Sequence, residues 1–117
     1  QEWYENTTIV ITGDHNSMSE KFFVGIDTDY VRTPYNCFIN SVVEPVNNKN
    51  RLFSTIDMYP TMLVAMGASI EGNRLGLGTN LFSDKKTIME EIGFNELNNE
   101  VQKTSRFYDY TILGLEK

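Results

Sequence analysis

The chain has 117 residues, the length of one modest domain and no more. Hydrophobic residues make up 40% and charged residues 22%, which excludes a disordered or fibrous chain. With 16 acidic against 10 basic residues the formal charge is −6, which argues against nucleic acid as a partner and means that an anionic substrate needs local positive charge, most simply a metal cation.

The first expected element is a strand over residues 7–12, Thr7-Thr8-Ile9-Val10-Ile11-Thr12, in which every residue is β-branched. Such an unbroken run predicts a strand covered on both faces, as in a parallel α/β sheet. Gly13 ends it and Asp14-His15-Asn16-Ser17 turns the chain. A second strand is expected over residues 35–43, after Pro34 at the strand entrance. Residues 44–50 are a loop by composition. Residues 54–68 read as a helix with Ile56, Tyr59, Leu63 and Met66 as its core-facing stripe, Asp57 as N-cap, Pro60 in the first turn and Gly67 as the stop. The glycine-crowded residues 71–78 are expected as loop or short extended structure. Two short helices follow over 87–92 and 95–103, broken at Gly93. No repeat, low-complexity run or linker interrupts residues 1–117, so they form one unit. No apolar stretch approaches the ~18 residues that span a bilayer. The opening at Gln1, without an initiator Met or a signal-like segment, suggests the interior of a longer protein, with any targeting or membrane segment upstream.

The chemistry-bearing feature is Gly13-Asp14-His15 directly after the first strand. Ligands of open α/β sheets bind at the carboxyl ends of strands. A carboxylate oxygen and an imidazole nitrogen on one turn can both reach a divalent cation, and Gly13 lets the backbone bend so that adjacent side chains converge. Cys37 is the lone cysteine and His15 the lone histidine, so neither a disulfide framework nor a multi-cysteine or multi-histidine metal cluster can be built from this chain alone. Cys37 reads as a buried strand residue. Gly76 and Gly78 lack a following Lys-Ser/Thr and are no P-loop, so turn geometry or close packing accounts for them. Phe107, Tyr108 and Tyr110 are expected to fold back on the core, and Arg32 has only its position to suggest contact with an anion.

Three segments taken together, Asn6-Thr7-Thr8-Ile9-Val10-Ile11-Thr12-Gly13-Asp14-His15, Phe53-Ser54-Thr55-Ile56-Asp57-Met58-Tyr59-Pro60-Thr61-Met62-Leu63 and Leu75-Gly76-Leu77-Gly78-Thr79-Asn80-Leu81, resemble the C-terminal third of the sulfatase/alkaline-phosphatase-like superfamily. Within it the pattern is most similar to the membrane-anchored phosphoglycerol transferases and lipoteichoic acid synthases. The resemblance implies an α/β fold, the C-terminal part of an alkaline-phosphatase-like domain with a largely buried sheet flanked by helices. It implies that Asp14 and His15 ligate a divalent metal, manganese for this branch, with zinc, calcium or magnesium as alternatives. The nucleophile and the further acidic ligand belong to upstream segments, so no catalytic residue is assigned here and the chain alone is expected to be inactive. The implied activity is transfer of phosphoglycerol or a similar head group from a lipid through a covalent phospho-enzyme, in a bacterial membrane protein whose catalytic domain faces outward. The implied partners are a lipid-derived or anionic ester substrate and the upstream part of the same domain, with membrane contact only through absent N-terminal segments. A sulfatase acting on sulfated glycans and a non-catalytic binding domain on the same scaffold are the alternatives; Cys37, followed by Phe38-Ile39-Asn40, does not carry the C-x-P-x-R context of sulfatases.

Overall fold

The computed structural model describes residues 3–26, 29 and 31–115, and in them the chain is mixed α/β. Strands β1 (Ile9–Thr12) and β2 (Asn36–Ile39) pair antiparallel, with Ile9 opposite Ile39 and Thr12 opposite Asn36. The expected parallel arrangement is therefore corrected. A parallel return needs a crossover, usually a helix, and among the described residues between the two strands the helical structure is a short 3₁₀ turn at Glu20–Phe23. Both strands are shorter than expected. Thr7 and Thr8 precede β1, and β2 stops before Asn40, which adopts a left-handed conformation (φ 57°) and donates through its amide to the carbonyls of Tyr4 and Thr7.

Nor is the sheet largely buried. Ile9, Val10 and all of β2, Cys37 included, are half-buried, while Ile11 and Thr12 are exposed. The reason is one-sided cover. Phe38 packs against the cluster of Val64, Ala65 and Phe82, its ring edge-on to Phe82 at 5.2 Å between centroids, whereas Ile11 on the other face is 49% exposed. β-branching dictates an extended backbone but cannot supply a second covering layer.

Helix α1 (Met58–Ala65) is entered through a 3₁₀ turn at Thr55–Asp57. Asp57 is the N-cap position of α1 as expected, but its carboxylate serves the preceding turn, which begins at Ser54: it reaches back to accept the Ser54 N–H (3.0 Å), the acidic half of a capping box. Pro60 lies in the first turn as expected. Gly67 (φ 97°) ends the helix in a Schellman arrangement, its N–H donating to Val64 O and that of Ala68 to Leu63 O, both at 2.9 Å. The expected stripe is corrected. Tyr59 and Met66 are exposed and Ile56 and Leu63 half-buried, while Asp57, Met58, Thr61, Val64 and Ala65 face inward. The helix is apolar almost all round, so hydropathy alone could not select its inner face.

Two polar side chains select it. Asp57 accepts the Thr79 N–H through its other oxygen (2.8 Å), and the Thr61 hydroxyl donates to Asp57 O (2.6 Å) while accepting the Leu81 N–H (2.9 Å). These bonds fasten α1 to the hairpin of β3 (Arg74–Leu75) and β4 (Gly78–Thr79), whose turn takes Gly76 at φ 60°. Gly78 allows the close approach, since a Cβ there would lie 2.2 Å from the carbonyl oxygen of Ile56.

Beyond β4, α2 (Ile88–Ile92) and α3 (Phe94–Val101) are separated by Gly93 at φ 83°, as the sequence suggests. Thr87 caps α2, its hydroxyl accepting the Glu90 N–H at 3.0 Å while Glu90 accepts the Thr87 N–H at 2.8 Å. Arg51 ties this turn down. Its guanidinium donates to both Glu90 oxygens (3.0 and 2.8 Å) and to the carbonyls of Leu81, Ser83 and Lys85 (3.2, 2.7 and 2.5 Å). That occupies all five guanidinium N–H groups. Phe107, Tyr108 and Tyr110 do not fold back on the core; all three side chains are substantially exposed.

The buried apolar core is small, formed by Met58, Val64, Ala65, Leu81, Phe82 and Leu97. The radius of gyration is 17.6 Å, against ~13 Å for a compact domain of this length. The accessible surface is 9425 Å², against roughly 6,500 Å² for a compact monomer of this mass.

Gly78→Ala should destabilise the chain by about 2–3 kcal/mol, because the obstructing atom is backbone and cannot rotate away. Gly76→Ala, with nothing within 4 Å of the new Cβ, should lose only the ~1–2 kcal/mol of a left-handed backbone. Urea unfolding of the two variants checks the ranking, and equal losses would contradict the close-approach account.

Hydrogen bonding to Arg51 holds the Glu90 carboxyl down at about 2, against an ordinary 4.5. A depressed carboxyl stabilises the fold at pH above its unfolded value and ceases to do so as pH falls through its folded value. Stability should therefore decline by about 2–3 kcal/mol between roughly pH 5 and pH 2. In Glu90→Gln this segment of the pH profile, read by urea unfolding, should be nearly flat.

Candidate metal centre

β1 delivers the chain to Gly13, whose N–H bonds to Tyr35 O (3.2 Å), and the next two residues turn outward together. The Asp14 carboxylate accepts the His15 N–H through Oδ1 (2.9 Å), which bends it over its neighbour. Its other oxygen, Oδ2, stands 3.6 Å from His15 Nε2. Two donors bound to one ion at ~2.1 Å are themselves ~3–3.5 Å apart, so this spacing suits a shared cation after a small adjustment. The donor types, one carboxylate and one imidazole, suit manganese or zinc. Both side chains are open to solvent, 89% for Asp14 and 57% for His15.

His15 Nδ1 lies 2.7 Å from the carbonyl oxygen of Asn16. A carbonyl can only accept, so this contact favours the hydrogen on Nδ1; a neutral ring with that hydrogen keeps on Nε2, the side of Asp14, the lone pair that a metal needs. The sequence pattern singled out Asp14 and His15, and the fold brings them together. It did not single out Asn16, whose backbone oxygen orients the ring and whose amide donates to Arg32 O at 3.0 Å. The only signal was its position directly after the histidine. Arg32 is turned to the same loop: its guanidinium donates to Ser17 O (3.1 Å) and lies 4.1 Å from the centre of the Phe23 ring.

Among the described residues no group of three or more His, Cys, Asp and Glu side chains is placed to hold a metal, and Asp14 and His15 are the two that converge. Asp57, the other carboxylate in the motifs, is only 3% exposed and both its oxygens accept backbone N–H groups, so its role is structural. Gly13 and Asn16 also line a cleft of ≈ 650 Å³ that runs past Pro34, Phe53, Met58 and Met89. Its described lining carries Arg32 and Arg51 and no carboxylate, in a chain of net charge −6. Among the described residues no helix is long and apolar enough to cross a membrane. Comparison with protein-family models, with curated proteins and with solved structures gave no match.

Because both side chains are exposed and neither is tied into the core, Asp14→Asn and His15→Gln should each shift folding stability by less than about 0.5 kcal/mol. Phe82→Ala, which empties part of the core cluster, should lose about 3–5 kcal/mol. Thermal unfolding of the metal-free variants checks this. Unfolding of either site variant would assign the pair to the scaffold instead.

Proposed function

We propose that this chain is the C-terminal part of a metal-dependent transferase or hydrolase acting on phosphate esters, of the sulfatase/alkaline-phosphatase-like superfamily, and that Asp14 and His15 are its contribution to the metal centre. The observation that carries this reading is the convergence of Asp14 Oδ2 and His15 Nε2 at 3.6 Å, with Nδ1 engaged by a backbone carbonyl. Arg32 on the lining of the adjoining cleft, the one arginine there whose charge no described carboxylate matches, supports an anionic ester as substrate. The extended shape and the large exposed apolar surface support a chain that packs against a further polypeptide layer, in this reading the rest of its own catalytic domain. The parent would be an outward-facing bacterial membrane enzyme that transfers phosphoglycerol or a similar head group from a lipid.

A divalent ion bound here supplies positive charge at the phosphoryl oxygens and lowers the pKa of a nucleophile brought to it. Asp14 provides an anionic ligand and His15 a neutral one. The Asn16 carbonyl holds the imidazole so that its lone pair is presented rather than its hydrogen. The nucleophile belongs to the rest of the domain, as the resemblance implies.

Calorimetric titration of the chain with manganese tests the assignment. Two side-chain ligands should give weak binding, and Asp14→Asn or His15→Gln should weaken it a further tenfold or more, by analogy with losses of ~10–100-fold on removing even indirect support of a metal site. The chain alone should hydrolyse no chromogenic phosphate or sulfate ester. Manganese binding that is unchanged in both variants would overturn the reading, as would turnover by the isolated chain.

A further inference from the structure

We infer that Asn16 and Arg32 form a clasp that sets the tautomer of His15, and that both are positioning residues for the metal centre. The part of this inference that concerns metal rests on the reading above.

The chain leaves the sheet at Gly13 and returns at Tyr35, and the two ends of the excursion touch. A Cβ at Gly13 would sit 3.0 Å from Pro34 Cβ, and the Gly13 N–H bonds to Tyr35 O. The two limbs that leave at Gly13 and return at Pro34 therefore start and end at one place. His15 stands on the outgoing limb and Arg32 on the returning one. The two limbs are joined by a reciprocal pair of bonds, Asn16 Nδ2 to Arg32 O at 3.0 Å and Arg32 Nη1 to Ser17 O at 3.1 Å. Stacking on Phe23 fixes the plane of the guanidinium.

The consequence falls on His15. Free imidazole side chains prefer the hydrogen on Nε2, which would turn a donor toward any cation. Here the Asn16 carbonyl, 2.7 Å from Nδ1, favours the opposite tautomer, against the Asp14 carboxylate 3.6 Å from Nε2, which favours a hydrogen there. That carbonyl is effective only while its peptide is held still. The clasp grips this peptide on both sides, by the side chain of Asn16 before it and by the carbonyl of Ser17 after it. Orientation of a ligating imidazole through its second nitrogen is a recurrent device, and its loss lowers metal affinity by ~10–100-fold. In this chain the device is anchored across the loop.

Because His15 is the only histidine, its two ring nitrogens give a single set of ¹⁵N resonances. We expect the metal-free chain, held well above the ordinary imidazole pKa of ~6.5, to show mainly the Nδ1–H form. Asn16→Ala and Arg32→Ala should each move the population toward Nε2–H and lower manganese affinity by about tenfold. The double variant should be no worse than either single one beyond a factor of about two, because one network is lost in each case. Arg32→Lys keeps the charge but not the planar fork, and should not rescue. Unchanged tautomer populations in both alanine variants, or a wild-type chain already in the Nε2–H form, would overturn the clasp. A chain that binds no manganese would overturn the metal reading instead, and the tautomer measurement, made without metal, still decides the clasp.

Discussion

The passage from the β3–β4 hairpin into α2 hangs on one guanidinium. Arg51 is 5% exposed, and its charge is matched by Glu90 at 2.8 Å while its remaining donors satisfy three consecutive-but-one carbonyls at residues 81, 83 and 85. A buried ion pair of this kind is not by itself a large source of stability, because two charges leave water to form it. Its effect is specification. The carbonyls of residues 81, 83 and 85 converge from a turning segment, and a planar, five-donor group can bind all three and a carboxylate at once. A lysine in its place would leave buried oxygens unmatched. The segment from Leu81 to the start of α2 is thereby held without forming a strand.

The same economy of apolar material runs through α1. The small core of buried apolar side chains among the described residues cannot fix the angle of a helix that is hydrophobic on nearly every face. Asp57 and Thr61 do so by bonding backbone N–H groups of Thr79 and Leu81, which leaves no choice of rotation. Backbone bonds of this sort need near contact, and Gly78 supplies it by lacking the one atom that would collide with Ile56 O. Among the described side chains, no buried nitrogen or oxygen is left without a partner. The interior is ordered by hydrogen bonds more than by area, and this explains how a chain with so much exposed apolar surface keeps a defined local structure.

Which parts of this were legible in the sequence follows from where the information resides. Local punctuation read well. Gly67 and Gly93 stop their helices because positive φ is a property of the residue itself, Pro60 sits in a first turn, and the Gly76 turn and the Gly78 contact follow the two uses that glycine has. The convergence of Asp14 and His15 was readable for the same reason, being a matter of three adjacent residues. Long-range facts read poorly. The inner face of α1 was misjudged because the deciding partners, Thr79 and Leu81, lie far along the chain and accept no hydropathy signal. Thr7 to Thr12 promised a strand buried on both faces, yet burial depends on a layer that β-branching does not encode. The Arg51 network could not be foreseen from a lone arginine in a loop.

The incomplete cover of the sheet and the incomplete ligand set have the same physical form. Ile11, next to the end of β1, is half exposed, and within four residues Asp14 and His15 stand in solvent with two ligand atoms poised and no third among the described residues. A preorganised pair at a strand end gains little folding energy from its own arrangement, so the clasp of Asn16 and Arg32 has to come from something other than core packing. The proposed assembly with a second layer connects the two shortfalls. A layer laid over the open face of β1 would exclude water from the strand end it covers, and exclusion of water strengthens every charge interaction at that end. Gly13 and Pro34 already meet at this strand end, so docking would not have to bring them together. On this argument the exposed pair is weak alone for the same reason that the sheet is half covered, and both become effective in one step.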